Sequence, residues 1–234
     1  IIAGDGDDTI TGGAGDDTMT GGADDDTFII AAGVDHASGE TITGGAGDDT
    51  IIFTSTSTDT LTLDATTADE DNMIFAKISD AAGVATGTSN GSIDASALAG
   101  NLAVTLTGNA GNNTLTGTAF ADTITGGAGN DTIAVAATTE GNSDVMTGGT
   151  GDDTLELTGI SHTFANDDNL ATIENITLQT DATTLTLTGQ TEDFTITTAD
   201  GNNTVITGSG NDTITGGAGN DAIINTAGNS ALTG

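Results

Sequence analysis

A nine-residue period governs this chain. The pattern Gly-Gly-x-Gly-x-Asp-x-U-x, with U a large apolar residue, begins at Gly12, Gly44, Gly126, Gly148 and Gly216. Near copies keep the same phase from Ala3, Gly21, Gly108, Gly117 and Thr207. Self-similarity at a short fixed period is the signature of a solenoid, where each repeat buries its apolar residue only against stacked neighbours. Gly at positions 1, 2 and 4 permits φ > 0 and leaves carbonyl oxygens uncovered by a Cβ. Position 7 is nearly always Thr, a good strand former. Position 8 (Ile10, Met19, Ile51, Ile133, Leu155, Ile214, Ile223) supplies the interior. A flexible Gly/Asp linker would not hold an apolar residue in such register.

The charge follows the same phase. Asp plus Glu number 35 against one cation, Lys77, for a formal charge of −34, and there is no Cys, Pro, Trp or Tyr. Nothing here could neutralise phosphates, which excludes nucleic-acid binding. Docking on an anionic membrane surface lacks its basic residues too. No apolar run reaches the ~20 residues of a spanning helix. Without Cys there are no disulfides, zinc-thiolate sites or thiol nucleophiles. High charge with few aromatics is also the signature of disorder, but the charges sit at fixed phase in a repeat, so disorder describes a metal-free state and not the working one.

These repeats resemble the repeats-in-toxin (RTX) family, in particular its surface-layer and extracellular-matrix members, whose Thr/Ala/Gly-rich style the TIENITL stretch (172–178) shares. The resemblance implies a parallel β-roll: six residues of each nonapeptide form a turn, three form a strand, and two nonapeptides complete a coil. It also implies several Ca²⁺ ions between turns stacked on one edge. The expected fold class is thus all-β, a parallel β-roll or β-helix solenoid with calcium-filled turns alternating with apolar-filled coils. Calcium takes six to eight oxygens from carboxylates and carbonyls together, and Asp at position 6 is short enough to reach an ion held by its own turn. The expected ligands are Asp8, Asp17, Asp26, Asp49, Asp59, Asp122, Asp131, Asp144, Asp153, Asp212 and Asp221. Backbone carbonyls of Gly13, Gly15, Gly45, Gly47, Gly127, Gly129, Gly149, Gly151, Gly217 and Gly219 join them, with Glu40, Asn113 and Asn203 as weaker ligands.

Copies two apart share an edge, so the acids form columns. One runs Asp8, Asp26, Asp49 and another Asp17, Glu40, Asp59. The second block gives Asn113, Asp131, Asp153 opposite Asp122, Asp144, and the third pairs Asn203 with Asp221 and Asp212 with Ser230. Position 5 is expected to face solvent. Coils ~4.8 Å apart set stacked carboxylates against each other by ~3 kcal/mol at an effective dielectric of 20, until a cation intervenes.

Five stretches follow: RTX blocks at 1–62, 99–156 and 198–234, an irregular insertion or decorated coil at 63–98, and calcium-poor coils at 157–197. MIFAKI (73–78) is compatible with a short helix, an out-of-phase strand or a decoration, and SIDASAL (92–98) opens the next coil. Residues 30–34 and 135–138 read as loops. In frame 99–107, Val104 and Leu106 replace the calcium shell with apolar filling. Leu178, Leu187, Ile196 and Val205 fall nine apart, which puts Ile176, Leu185 and Phe194 at position 6. His162 and Phe164 fall at positions 6 and 8 of frame 157–165.

No HExxH, GxSxG or Walker pattern occurs, and Ser161 beside His162 is not a catalytic pair. Paired acids such as Asp48-Asp49 read as a solvent residue beside a ligand, and the Thr ladders as exposed β-faces rather than an ice- or sugar-binding array. The chain starts and stops in mid-repeat, as an internal piece of a longer protein would. RTX relatives are typically exported in one step through an uncleaved C-terminal signal, which would lie outside it. The expected function is non-enzymatic: a calcium-binding structural segment of a secreted surface protein, an S-layer, filament or adhesin stalk, self-associating into a polymer or lattice. The alternative is a calcium-triggered folding and secretion module of an RTX enzyme or toxin.

Overall fold

The computed structural model describes residues 1–31, 41–54, 56–63, 67–68, 73–80, 82–98, 102–136 and 144–233. Among them the chain is a β-solenoid in which every strand pairing is parallel. Four sheets run along its axis, of four, eight, nine and four strands. The first holds Ile2–Asp5 and Thr18–Ala23, and the second runs from Thr9–Thr11 to Leu170–Ala171. The third runs from Thr60–Thr62 to Ala231–Thr233, and the fourth from Ser161–Thr163 to Ala222–Asn225.

The coil cross-section changes along the axis, and the sequence of the turns explains where. Where Gly-Asp turns are present, two sheets suffice and pairing steps by eighteen residues, as Thr9 with Thr27 or Thr105 with Thr123. The shortest strands there bury one side chain, as in Thr9–Thr11 and Thr213–Thr215, and longer ones bury two, as Phe28 and Ile30 in Thr27–Ala31. Where the tight turn is missing, the chain runs straight on and adds a third side. Thr50–Thr54, Thr60–Thr62 and Thr67–Ala68 form one such coil; Thr154–Thr158, Ser161–Thr163 and Leu170–Ala171 form another. A wider coil encloses more volume, and its longer strands and those stacked on it bury two alternate residues, as Leu155 with Leu157 and Ile176 with Leu178. Each three-sided coil passes the chain to a new pair of sheets, from first and second to second and third, then to third and fourth.

Residues 73–78 are neither helix nor decoration. Met73–Ile78 is a strand of the second sheet, seated between Thr50–Thr54 and Ala103–Thr107. Its Ile74 aligns with Val104 at the position-6 row, and both are buried. The apolar filling expected at Val104 and Leu106 is in place, and Ser92–Asp94 pairs with strands on both sides. The loops expected at 30–34 and 135–138 lie in part outside the described residues, and their described residues, Ile30, Ala31, Val135 and Ala136, are the ends of strands instead. One continuous cluster, from Ile10 to Ile214, fills the solenoid.

Two phases differ from those expected. Ile176 pairs with Leu155 and Ile196, and Leu185 pairs with Val205, so both occupy position 8 rather than position 6. His162 pairs with Leu185, which moves it also to the inward position-8 row. The cause is the three-sided coil: pairing steps of twenty and more residues restore the frame only at Thr195 and Thr204. Phe194 does sit at position 6, its N–H donating to Asp212 Oδ1 at 3.1 Å.

Candidate metal centre

Position 6 precedes each strand, and stacking of the strands stacks its carboxylates. Along the second sheet, Asp26 Oδ1 accepts the Asp8 N–H at 2.9 Å, and Asp49 Oδ1 accepts the Asp26 N–H at 2.8 Å. The row continues through Ile74 and Val104 to Asp122 and Asp144, which makes the first column and one column of the second block a single edge. Along the third sheet, Asp131 accepts from Asn113 N–H and Asp153 from Asp131 N–H, both at 2.7 Å. Asp212 lies further down that edge, with Ser230 donating to its Oδ2. Asn203 and Asp221 stack on the fourth sheet, the Asn203 N–H reaching Asp221 Oδ1 at 2.9 Å.

Three expectations need correcting. Asp59 does not share a column with Asp17: it precedes Thr60–Thr62 of the third sheet, whereas Asp17 precedes Thr18–Ala23 of the first. The three-sided coil diverts the chain between them, and Glu40 lies outside the described residues. Position 5 is not simply solvated, because it forms its own ladder. Asp25 Oδ1 accepts the Asp48 N–H at 2.9 Å, Asn112 Oδ1 the Asn130 N–H at 2.9 Å, and Asn130 Oδ1 the Asp152 N–H at 3.2 Å. Position-1 glycines are also not needed for φ > 0, which occurs at positions 2 and 4, as at Gly127 and Gly129. They are needed for space. A Cβ on Gly126 would run into Asp131 Oδ2 and the Gly148 carbonyl, and one on Gly21 into Asp26 Oδ2 and the Gly44 carbonyl. At Asp24, which replaces the position-4 glycine with φ 75, the strain is offset by its carboxylate accepting the Gly6 N–H at 3.1 Å.

Several of these turns therefore present oxygens without donors. Asp26, Asp131 and Asp153 are at most 1 % exposed, yet their Oδ2 atoms find no hydrogen-bond partner among the described residues. Burying a carboxylate oxygen this way costs several kcal/mol unless a cation meets it. The Gly45, Gly127, Gly129, Gly149, Gly151 and Gly219 α-carbons pack against carbonyls of the preceding coil, which places position-2 and position-4 carbonyls in the gap between coils. Among the described residues no three carboxylates or imidazoles converge, so backbone carbonyls must supply most of an ion's shell. That donor set is hard, anionic and oxygen-only, and it fits Ca²⁺. Sequence reasoning missed the position-1 carbonyls of Gly44, Gly126 and Gly148, which border the carboxylates. It also missed Glu174, whose Oε2 extends the third-sheet column by accepting the Asp153 N–H at 2.8 Å. The pairing of Asn175 with Thr154 places it there, and the nonapeptide frame alone does not.

Electrostatics agrees. Burial, aided by the neighbouring Asp153, pushes Asp131 up to about 6, and burial with Asp122 nearby does the same to Asp144. Burial also raises Asp122 and Asp153, the latter beside Glu174 and Asp152. His162 is shifted the other way: burial lowers its pKa, its backbone bond to Thr158 only partly opposing this. It stands neutral inside the coil.

A parallel solenoid whose stacked turns hold buried, donorless carboxylates and aligned carbonyls is a calcium-binding β-roll. The family model of the RTX calcium-binding nonapeptide repeat matches residues 1–36, 37–53, 107–137, 138–157 and 197–232, and the chain belongs to that family. No curated protein and no solved structure matches it. The repeats bind Ca²⁺, and among the described residues no helix is long and apolar enough to cross a membrane.

Three substitutions test the geometry. Gly126→Ala is expected to cost about 1–3 kcal/mol, the usual penalty of a forced contact, and to lower calcium affinity, read by thermal unfolding across a calcium series. Asp131→Ala should remove an ion and the Asn113 hydrogen bond together. Asp48→Ala should leave both unchanged, because the Asp48 N–H, not its carboxylate, enters the position-5 ladder. Equal calcium titrations for these two aspartates would overturn the assigned phase.

Proposed function

We propose that this chain is a calcium-folded structural segment of a secreted surface or matrix protein, such as an S-layer, filament or adhesin stalk, and that it has no catalytic role. The observation that carries this reading is the distribution of chemistry. One apolar cluster occupies the interior from end to end, and the polar machinery is spread in repeating turns along the edges instead of gathering at one place. A chain of −34 held unfolded at low cytosolic calcium suits one-step export, and external calcium would fold it on arrival. Self-association follows from the same charge: calcium bridging is what would let such chains approach.

Circular dichroism with sedimentation, titrated from chelator to ~10 mM Ca²⁺ (the weak end of extracellular modules is ~1 mM), tests the proposal. A coil-to-β transition with rising particle mass supports a calcium-assembled polymer. A transition that stays monomeric favours the folding and secretion module of a larger RTX enzyme or toxin.

A further inference from the structure

The turns do not all leave oxygens unmet. At Asn203 the side-chain oxygen accepts the Thr183 N–H at 2.9 Å, just as Asp131 Oδ1 accepts from Asn113. Its other arm, in the place of the donorless Asp131 Oδ2, is an amide. Asn203 Nδ2 donates to the carbonyls of Ala199 (2.7 Å) and Asp200 (3.3 Å) and to Asp221 Oδ1 (3.3 Å), two oxygens of its own turn and one of the next coil. Those are the kinds of oxygen an ion would gather. Asp122 is met differently: its Oδ2 accepts the Thr118 N–H at 2.7 Å, and the Thr118 hydroxyl lies 2.9 Å from its Oδ1. Asn113 Nδ2 donates to Ser89 and Gly91 carbonyls, and its Oδ1 accepts the Asn109 N–H. Gln190 Nε2 donates to Phe164 and Asn166 carbonyls, but its own Oε1 is buried and meets no donor among the described residues.

We propose that Asn203, Asn113 and the Thr118–Asp122 pair are built-in substitutes for calcium, closing their turns with the chain's own donors. Ion binding is then concentrated in turns of the Asp26, Asp131 and Asp153 kind. The coils around Asn203 and Gln190, which also bury Leu185, Leu187, Phe194, Ile196 and Val205, form a metal-independent frame against which the calcium turns order. A side-chain amide suits this task because it carries two N–H donors and no charge, so it satisfies carbonyls without an ion's entry or release. The inference rests on the calcium reading of the repeats, and is indifferent to whether the protein is a surface polymer or a module.

Amide hydrogen exchange on the whole chain, in chelator and in calcium, tests it. In chelator the Leu187 and Thr204 amides, bonded to Ile206 and Thr183 carbonyls, should exchange about a hundredfold more slowly than those of Thr27, Thr50 and Thr154, a difference readily resolved between local openings. In calcium all five should be protected. Asn203→Asp should bind one more ion and lose the frame's protection in chelator. Asp131→Asn should bind one fewer and gain protection at Thr154. Uniform loss of protection in chelator, or an Asn203→Asp variant with unchanged stoichiometry, would overturn the proposal. An absence of any calcium effect at Thr27, Thr50 or Thr154 would overturn the calcium reading beneath it.

Discussion

Chelating calcium at neutral pH is expected to erase most of the β signal of this chain, the largest single effect the structure implies. Without ions the second and third sheets keep columns of buried carboxylates whose Oδ2 atoms at Asp26, Asp131 and Asp153 meet no donor among the described residues. Neighbouring carboxylates at the coil spacing repel by about 3 kcal/mol at an effective dielectric of 20. At ten times its dissociation constant, each ion returns about 1.4 kcal/mol by mass action, in addition to relieving that repulsion. With several sites in series the sum reaches the size of a domain's whole stability. The transition is expected to be steep in calcium, because each ion ties together two coils and prepares the next. A gradual change, proportional to added calcium, would contradict the stacked-column arrangement.

Acid is expected to stand in for calcium. Asp131 and Asp144 are held near 6 in the folded chain against 3.8 ordinarily, and Asp122 and Asp153 are raised as well. A carboxylate raised by folding binds more protons in the native state than in the unfolded one, so its contribution to stability is greatest below about 3.8. That contribution declines through the interval up to about 6 and is gone above it. In chelator, then, lowering the pH from 7 to about 4 should restore β structure that neutral pH removes. Calcium affinity should fall across the same interval, because protons occupy the ligands. His162 opposes this at the acid end, since its lowered pKa makes charging it costly to the fold. His162→Leu should therefore extend the acid-stable range, measured by circular dichroism in chelator. A metal-free chain that unfolds further between pH 7 and 5 would refute the burial of these carboxylates.

The two titrations together separate the roles of the turns. Calcium meets the carboxylates as charged ligands, protons meet them as neutral acids, and the amide turns at Asn113 and Asn203 answer to neither. A wild-type chain that keeps a fraction of its β signal in chelator at neutral pH is the bulk counterpart of the exchange pattern expected at Leu187 and Thr204.

Much of this protein is determined by its sequence alone. A nine-residue period places Asp and a large aliphatic two residues apart, and every Gly-Asp copy takes that phase in the structure, from Asp8 and Ile10 to Asp212 and Ile214. The reason is local: the tight turn, the Thr strand and the inward residue lie within one nonapeptide, so no distant partner is needed to fix them. What the tertiary structure decided is the path of the chain where the turn is absent. Lacking Gly-Asp geometry, the described strands between Thr50 and Ala68 and between Thr154 and Ala171 include a third side, and Phe53, Leu63, Leu157 and Leu178 are buried there and in the next coil. That detour moves Asp59 to another edge, brings Ile176 and Leu185 inward and carries Glu174 into the Asp153 column. It also decided which carboxylate oxygens are met. The coil-to-coil donors to Oδ1 come from residues eighteen to twenty-three positions away and depend on which coil lies above, so a nine-residue frame cannot show them. Thr118, which meets Asp122, lies instead in the same turn. Asn203 and Asp131 occupy the same position of the same repeat, and only the stacked coils show one turn complete in itself and the other in need of an ion.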